Sequence, residues 1–372
     1  AHRAVAHGTG RRALTHTAEP QRPLPENTMN HAHEIRTAFA AARQRGLRAR
    51  EAAEFLSLSE GAAIAAHRGA HDATLTATAL RPDWLALEKE GFKAVPRLAS
   101  DVGEERRFSG GLLLLGKHRG RNEAWFAELL ARVEPGGWIA VSGDKKLGID
   151  SFRKWVGNLA EISDRMSKNH AVVFWLRRPA DLTDDFIAAL KPLATDIDDV
   201  FRTEPGMFSH GVIDKGSALL VPHMEKIVFG NVADLGAGWG YLAAQCLKFA
   251  DRIKSIDLYE ADYEAIEAAR GNLERLAASV PISFNWFDVT SEKMAGIYDT
   301  VIMNPPFHEG RVTDVSLGQA FIAAAASRLK PGGRLLMVAN RQLPYETTLK
   351  GLFKNVTLLE EANGFKIFDA KK

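Results

Sequence analysis

The chain has 372 residues, with 48 Lys and Arg against 46 Asp and Glu, so no global basic field draws it to nucleic acid and any such partner must meet local patches. Its 46% apolar and 25% charged content is that of a globular chain rather than a disordered one, and its length fits two domains. The single cysteine, Cys246, excludes an internal disulfide framework or cysteine metal cluster; with no apolar run of spanning length and no secretory signal, a cytoplasmic location is expected.

Residues 1–28 carry Arg, His, Pro and Thr without apolar periodicity and read as a disordered leader, with Met29 as the native start. Residues 29–72 predict a small helical segment. EIRTAFAAARQRG has helical spacing and ends at Gly46; RAREAAEFL, the turn SLS and EGAAIAAHRG then form a helix–turn–helix pattern with Ser59 as N-cap. EGAAIAAH offers few side chains able to reach base edges, so a packing unit is expected rather than a DNA reader.

The remainder contains an internal repeat. Residues 111–141 and 300–339 each run apolar strand, polar loop, alanine-rich amphipathic helix, Pro-Gly-Gly turn and second apolar strand. Continuous apolar strands alternating with helices predict an α/β fold of tandem Rossmann-like domains with parallel sheets, at 73–200 and 201–372. The first copy has Leu115-Gly-Lys-His-Arg119 at its strand end and no glycine-rich loop upstream, so it reads as a duplicate that has lost its site.

In the second copy, NVADLGAGWGYLAAQCL places Asp234, Gly236, Ala237, Gly238 and Gly240 where a strand becomes a helix, a turn that lets backbone approach a ligand. The next strand, KSIDLYE, ends in Glu260, suited to accept bonds from two ribose hydroxyls; Asp257 competes but lies inside the strand. One strand later Asp288 suits an adenine amino group, and Trp286 and Phe287 can pack on that ring or in the core. The stretch VIMNPPFHEG then ends a strand with Asn304, Pro305, Pro306 and Phe307, followed by His308. Two prolines stop the strand and leave a rigid bracket of the Asn304 amide and Pro305 carbonyl beside an aromatic ring. Such a bracket suits a flat ligand with an amino group: both N–H bonds are accepted, the lone pair turns out of the ring plane, and Phe307 stacks on the base. Cys246, in a helical apolar stretch, is a core residue rather than a nucleophile, and the 12 histidines show no metal-ligand spacing.

This series of motifs resembles the layout of a class I S-adenosylmethionine-dependent methyltransferase. From about Leu80 onward the chain resembles the bacterial ribosomal RNA guanine-N2 methyltransferases, above all the small-subunit (16S) enzyme, in PGMFSHGVIDKGSALLVP, DLGAGWG, NPPFHEG, KPGGRLLMVANRQLPYE and GFKIFDA. The resemblance implies an inactive first domain that helps bind RNA and a catalytic second one. It further implies a segment with Phe208, Ser209 and Ser217 closing over the cofactor, Ser217 facing its methionine carboxylate, and Phe208, Ser209, Phe307 and His308 near the substrate. Before Leu80 the chain departs from that family's opening strand and helix. Expected partners are ribosomal RNA or the small ribosomal subunit, without metal or membrane, for a monomeric protein. Candidate phosphate contacts are Lys117-His118-Arg119-Gly-Arg121, Lys145-Lys146, Arg153-Lys154 and Arg177-Arg178. Adenine N6, a protein glutamine amide, or a non-catalytic role in RNA assembly remain the alternatives.

Overall fold

The structure, a computed structural model, describes residues 55–59, 74–103, 105–168, 170–276, 279–306, 308–309, 312–313 and 315–372. The first sheet is built from β1 (Phe55–Ser59), β2 (Thr74–Ala77), β3 (Lys93–Val95), β4 (Phe108–Leu114), β5 (Val133–Asp144), β6 (Ile162–Lys168) and β7 (Ala171–Arg177). Its helices are α1 (Arg81–Lys89), α2 (Leu98–Asp101), α3 (Arg119–Arg132) and α4 (Ile149–Gly157). Helix α5 (Asp184–Ala189) and the small hairpin β8 (Thr195–Ile197) and β9 (Phe201–Thr203) lead to the second half. There the strands are β10 (Gly230–Leu235), β11 (Ile253–Glu260), β12 (Ile282–Trp286), β13 (Tyr298–Met303), β16 (Leu329–Asn340), β17 (Asn355–Ala362) and β18 (Phe365–Lys371), with a short pair β14 (His308–Glu309) and β15 (Val312–Thr313). The helices are α6 (Lys215–Met224), α7 (Tyr241–Cys246), α8 (Tyr263–Arg275), α9 (Val315–Arg328) and α10 (Glu346–Leu352).

Both sheets have seven strands in one topology, β3-β2-β1-β4-β5-β7-β6 and β12-β11-β10-β13-β16-β18-β17. Five neighbours run parallel and a terminal hairpin joins antiparallel. The strands of the second sheet are apolar on both faces. Val232, Ile256, Leu258, Ile302 and Leu336 pack into one layer, and Ala233, Leu235, Val301, Met303 and Leu335 into the other. Such strands are covered by helices on both sides, which leaves their C-terminal ends, and the reversal of strand order between β10 and β13, as the place for a ligand.

The common register lets the halves be matched residue by residue. Phe55 pairs with Thr74 and Gly110, as Val232 pairs with Ile256 and Thr300. Counting along these strands equates Asp234 with Ser57, Gly236 with Ser59, Glu260 with Thr78 and Asn304 with Leu114. Pairing of Ala77 with Val95 and of Tyr259 with Asn285 equates Asp288 with Leu98. Two expectations are corrected here. The segment FLSLS is the central strand β1, held between β2 and β4, and not part of a helix–turn–helix; Ser59 ends a strand instead of capping a helix. Pairing on both sides overrides the helical tendency of the neighbouring alanines. The opening strand expected from the resemblance is therefore present, with Ser57 at the position of Asp234 and Ser59 at that of Gly236. The remaining expectations for residues 1–54 and 60–73 lie outside the described residues.

The halves meet through equivalent loops. The same count equates Ala79 with Ala261, Leu80 with Asp262 and Arg81 with Tyr263. Leu80 and Asp262 form an antiparallel bridge; the Arg81 N–H donates to the Ala261 carbonyl and the Tyr263 N–H to the Ala79 carbonyl, both at 2.8 Å. Equivalent residues thus make equivalent bonds, the signature of an isologous contact. Around it, Arg81 donates to both oxygens of Glu292 at 2.9 and 2.7 Å and lies over the Trp84 and Trp286 rings. Arg121, only 3% exposed, donates to Asp262 at 2.6 Å and sits 3.4 Å from Glu264. Burial pushes the Glu264 carboxyl up to about 7, against the pull of Arg121. Removing this cation leaves two part-buried carboxyl groups without their shared partner. Arg121→Met is expected to lose about 3–5 kcal/mol of unfolding free energy in urea denaturation; a wild-type midpoint would show that the ion pair contributes nothing to docking.

Candidate active site

The glycine turn after β10 is left-handed at Gly236, Gly238 and Gly240, with φ of 71°, 54° and 88°. At Gly240 a Cβ would lie 3.0 Å from Ala269 of α8, so close packing of α7 on α8 requires glycine. At Gly238 a Cβ would meet nothing within 4 Å; that glycine faces open space where a ligand can approach backbone. Gly236 and Ala237 both donate to the Tyr259 carbonyl, tying the turn to the end of β11.

Two carboxylates meet this turn. Glu260 accepts the Gly238 N–H at 2.8 Å on one oxygen and the Asp262 N–H at 2.9 Å on the other, and burial raises its pKa. Asp234 is fully buried. One oxygen accepts the Ala243 N–H at 3.1 Å; the other has no hydrogen-bond partner. Burial, opposed by the Ala243 bond and reinforced by the Glu260 charge, moves Asp234 up to about 8. A buried acceptor without a donor is rare and calls for one from a ligand. The open space at Gly238, the unsatisfied Asp234 oxygen and Glu260 together fit a cofactor rich in N–H and O–H donors. Asp288, 8% exposed, accepts from Thr290 N–H and Oγ1 and from Ser291 Oγ, holding the turn after β12.

Asn304 begins where β13 stops, with Pro305 buried and Pro306 exposed behind it. A Cβ on Gly236 would come 3.9 Å from the Asn304 carbonyl oxygen, so bracket and glycine turn abut. The Asn304 amide nitrogen donates to Asp214 Oδ2 at 2.8 Å and to Ser217 Oγ at 2.9 Å. Asp214 caps α6 by accepting the Ser217 N–H at 2.7 Å. Gly216 brings that helix start onto the Phe365 ring, 3.0 Å from where a Cβ would stand. Asp214 escaped the sequence reading; its signal is the N-cap position three residues before Ser217. Phe307 lies outside the described residues, and His308 is described as backbone pairing with Thr313.

Other residues divide between site and scaffold. Phe208 is 54% exposed, and its carbonyl accepts Trp239 Nε1 at 3.0 Å, which fixes it beside the glycine turn; Ser209 follows with φ 55°. Ser217 is buried and spends its Oγ on Asn304. Asp257 accepts from Ser283 and from Tyr298, each with its own carboxylate oxygen, and so serves the scaffold, leaving Glu260 at the loop. Trp286 donates to the Ala79 and Ala261 carbonyls and packs on Trp84 and Tyr263, so it belongs to the contact between halves instead of an adenine. Phe287 packs edge-on against Tyr259. Cys246 is buried, its thiol pKa raised by burial and by Asp234, as a core residue's would be. Of the basic runs, Arg121 and Arg178 are buried, the latter donating to the Leu130 carbonyl, and neither is free to meet a phosphate. Burial, with Lys117 and Arg121 nearby, lowers His118 to about 4, so it carries no charge near neutrality. Lys117, Arg119, Lys145, Lys146, Lys154 and Arg177 are exposed. No cluster of metal-ligating side chains occurs among the described residues, and none of their helices is long and apolar enough to cross a membrane.

A doubly wound sheet with a terminal antiparallel hairpin, a glycine turn, and acids at consecutive strand ends defines a class I S-adenosylmethionine-dependent methyltransferase. The Methyltransferase small domain family model matches residues 199–369. The chain is 33% identical over 278 residues to Ribosomal RNA small subunit methyltransferase C of Psychromonas ingrahamii, covering 71% of this chain and 76% of that one. It is 31% identical over 272 residues to the protein of that name from Pseudomonas aeruginosa, with 71% and 80% covered. The chain belongs to the ribosomal RNA small subunit methyltransferase C family. A solved structure of the T. thermophilus 16S rRNA N2 G1207 methyltransferase in complex with AdoMet and guanosine shares the fold, with TM-score 0.73 and 24% identity over 91% of this chain and 93% of that one.

Asp234 generates a pH prediction. Its folded-state pKa of about 8 lies above the ordinary 3.8, so between these values the folded protein holds a proton that the unfolded chain has released. This group therefore makes unfolding free energy fall as pH rises, by about 1.4 kcal/mol per pH unit. Asp234→Asn, neutral throughout, removes that slope. Urea denaturation of the cofactor-free protein from about pH 5 to 8 checks it; parallel pH dependence in both proteins would show that Asp234 is ionised throughout.

Proposed function

We propose that the chain methylates the exocyclic N2 amine of a guanine in 16S ribosomal RNA, with Asn304, Pro305, Pro306 and Phe307 forming the acceptor bracket. The observation that supports this reading is the proximity of that bracket to the glycine turn, where a Cβ on Gly236 would lie 3.9 Å from the Asn304 carbonyl oxygen, as a shared acceptor and cofactor crevice requires. Asp234, Gly236, Ala237, Gly238 and Glu260 would hold S-adenosylmethionine, with Asp288 at the adenine end; when bound, it supplies an electrophilic methyl group on a sulfonium sulfur.

The N2 lone pair of guanine is delocalised into the base and is a weak nucleophile. Asn304 Oδ1 and the Pro305 carbonyl accept its two N–H bonds and draw the lone pair out of the ring plane, while Phe307 stacks on the base and His308 borders it. Phe208 and Ser209 close the crevice from the other side. The task of these residues is positioning and electrostatics, without a covalent enzyme intermediate. A guanine in structured RNA must first leave its stack, at a cost of a few kcal/mol. As nitrogen gains its methyl group, one N2 proton passes to solvent.

The first half reads as a degenerate copy that docks RNA. Ser57, Thr78, Leu98 and Leu114 stand where the second half has Asp234, Glu260, Asp288 and Asn304, so three carboxylates and the amide are missing together. With β1 included, this unit begins before residue 73. The exposed Lys117, Arg119, Lys145, Lys146, Lys154 and Arg177 are its candidate phosphate contacts.

Transfer of labelled methyl to unmodified 16S RNA, small subunits and large-subunit RNA, followed by nucleoside mass analysis, tests the reading. N2-methylguanosine in a small-subunit substrate is expected, with the rate about 100-fold lower in Asn304→Ala. Methyl found on adenine or on a protein amide would replace the acceptor assignment, and absence of cofactor binding would leave only a role in RNA assembly. Glu260→Gln keeps the size of the side chain but loses its charge; cofactor affinity by calorimetry is expected to fall about 10-fold.

A further inference from the structure

We infer that Asp214 is a positioning residue for methyl transfer: it decides which end of the Asn304 amide meets the acceptor amine. This role rests on the proposed transfer to an exocyclic amine. A side-chain amide has two ends of nearly equal size, and a half-turn about its last torsion exchanges a carbonyl acceptor for an amino donor. Only one orientation works in the bracket. With Oδ1 toward the substrate, Asn304 accepts an N–H of the amine. With Nδ2 there, two donors face each other and nothing draws on the lone pair.

Asp214 settles the choice. A carboxylate can only accept, so the Asn304 atom 2.8 Å from Asp214 Oδ2 must be the amino nitrogen. Ser217 Oγ, at 2.9 Å, takes the second N–H, but a hydroxyl both donates and accepts and would serve either orientation. Among the described residues no donor reaches Asn304 Oδ1, which stays available to a ligand. Asp214 is in turn held by its cap on α6: the oxygen that receives Asn304 also receives the Ser217 N–H at 2.7 Å. The helix start therefore sets the carboxylate, and the carboxylate sets the amide 90 residues further along the chain.

Three variants separate orientation from capping. Asp214→Ala removes both bonds; kcat should fall about 10–100-fold, while cofactor Kd and RNA KM stay within about twofold of wild type. In Asp214→Asn a single carbonyl oxygen at the same place can keep both bonds, so kcat should return to within a few-fold of wild type. Asp214→Ser retains a helix cap but is too short to reach Asn304; it should recover melting temperature without recovering kcat. The role is overturned by an alanine variant with wild-type kcat, by serine restoring the rate, by asparagine as slow as alanine, or by a loss confined to cofactor Kd. Wild-type protein that binds S-adenosylmethionine yet methylates no RNA would instead overturn the proposed function, and this role with it.

Discussion

The antiparallel contact between residues 79–81 and 261–263 is the constraint on which the rest of the molecule depends. In the second half this loop follows directly from Glu260, and Asp262 serves four partners at once. It bridges to Leu80, receives Arg121, caps α8 through the Glu264 N–H, and donates its own N–H to Glu260. The carboxylate at the end of β11 is therefore positioned partly by the other half of the protein. The contact between halves and the candidate cofactor site share a few residues of backbone.

The crevice itself concentrates acceptors. Burial, with the Glu260 charge nearby, raises the proton affinity of Asp234, which also has an oxygen with no hydrogen-bond partner. Left alone, such a pair opposes folding. It persists because the surrounding sheet is apolar on both faces and over-determines the loop, as is common where a site carries strain that its ligand relieves. The bracket shows the opposite arrangement: Asp214 and Ser217 satisfy both N–H bonds of the Asn304 amide and leave its Oδ1 as an acceptor.

The second half was legible because its candidate site residues sit at strand ends in sequence order. Asp234 with its glycines, Glu260 and Asn304-Pro-Pro each stand where an apolar run breaks, and a local pattern reveals them. The repeat was legible for the same reason, through paired strands and Pro-Gly-Gly turns. FLSLS was not: five residues of alternating character amid alanine-rich sequence carry too little period to compete with a helical reading, and only their pairing with β2 and β4 makes them a strand. Arg121 looked like part of a basic loop, since nothing local reveals that Asp262 will bury it. Asp214 was hidden differently. Its place before a helix is readable, but its partner lies in another element, and only the fold brings the two together.

The isologous contact has a consequence for assembly. Two equivalent loops exchanging equivalent backbone bonds are what a two-fold dimer would present, yet here both belong to one chain. Covalent connection makes their meeting unimolecular, with an effective concentration that dilution does not change. A modest set of bonds can then hold permanently what separate subunits would hold only when abundant. It also fixes the stoichiometry: every molecule pairs one half carrying Asp234, Glu260 and Asp288 with one half in which Ser57, Thr78 and Leu98 stand at those positions.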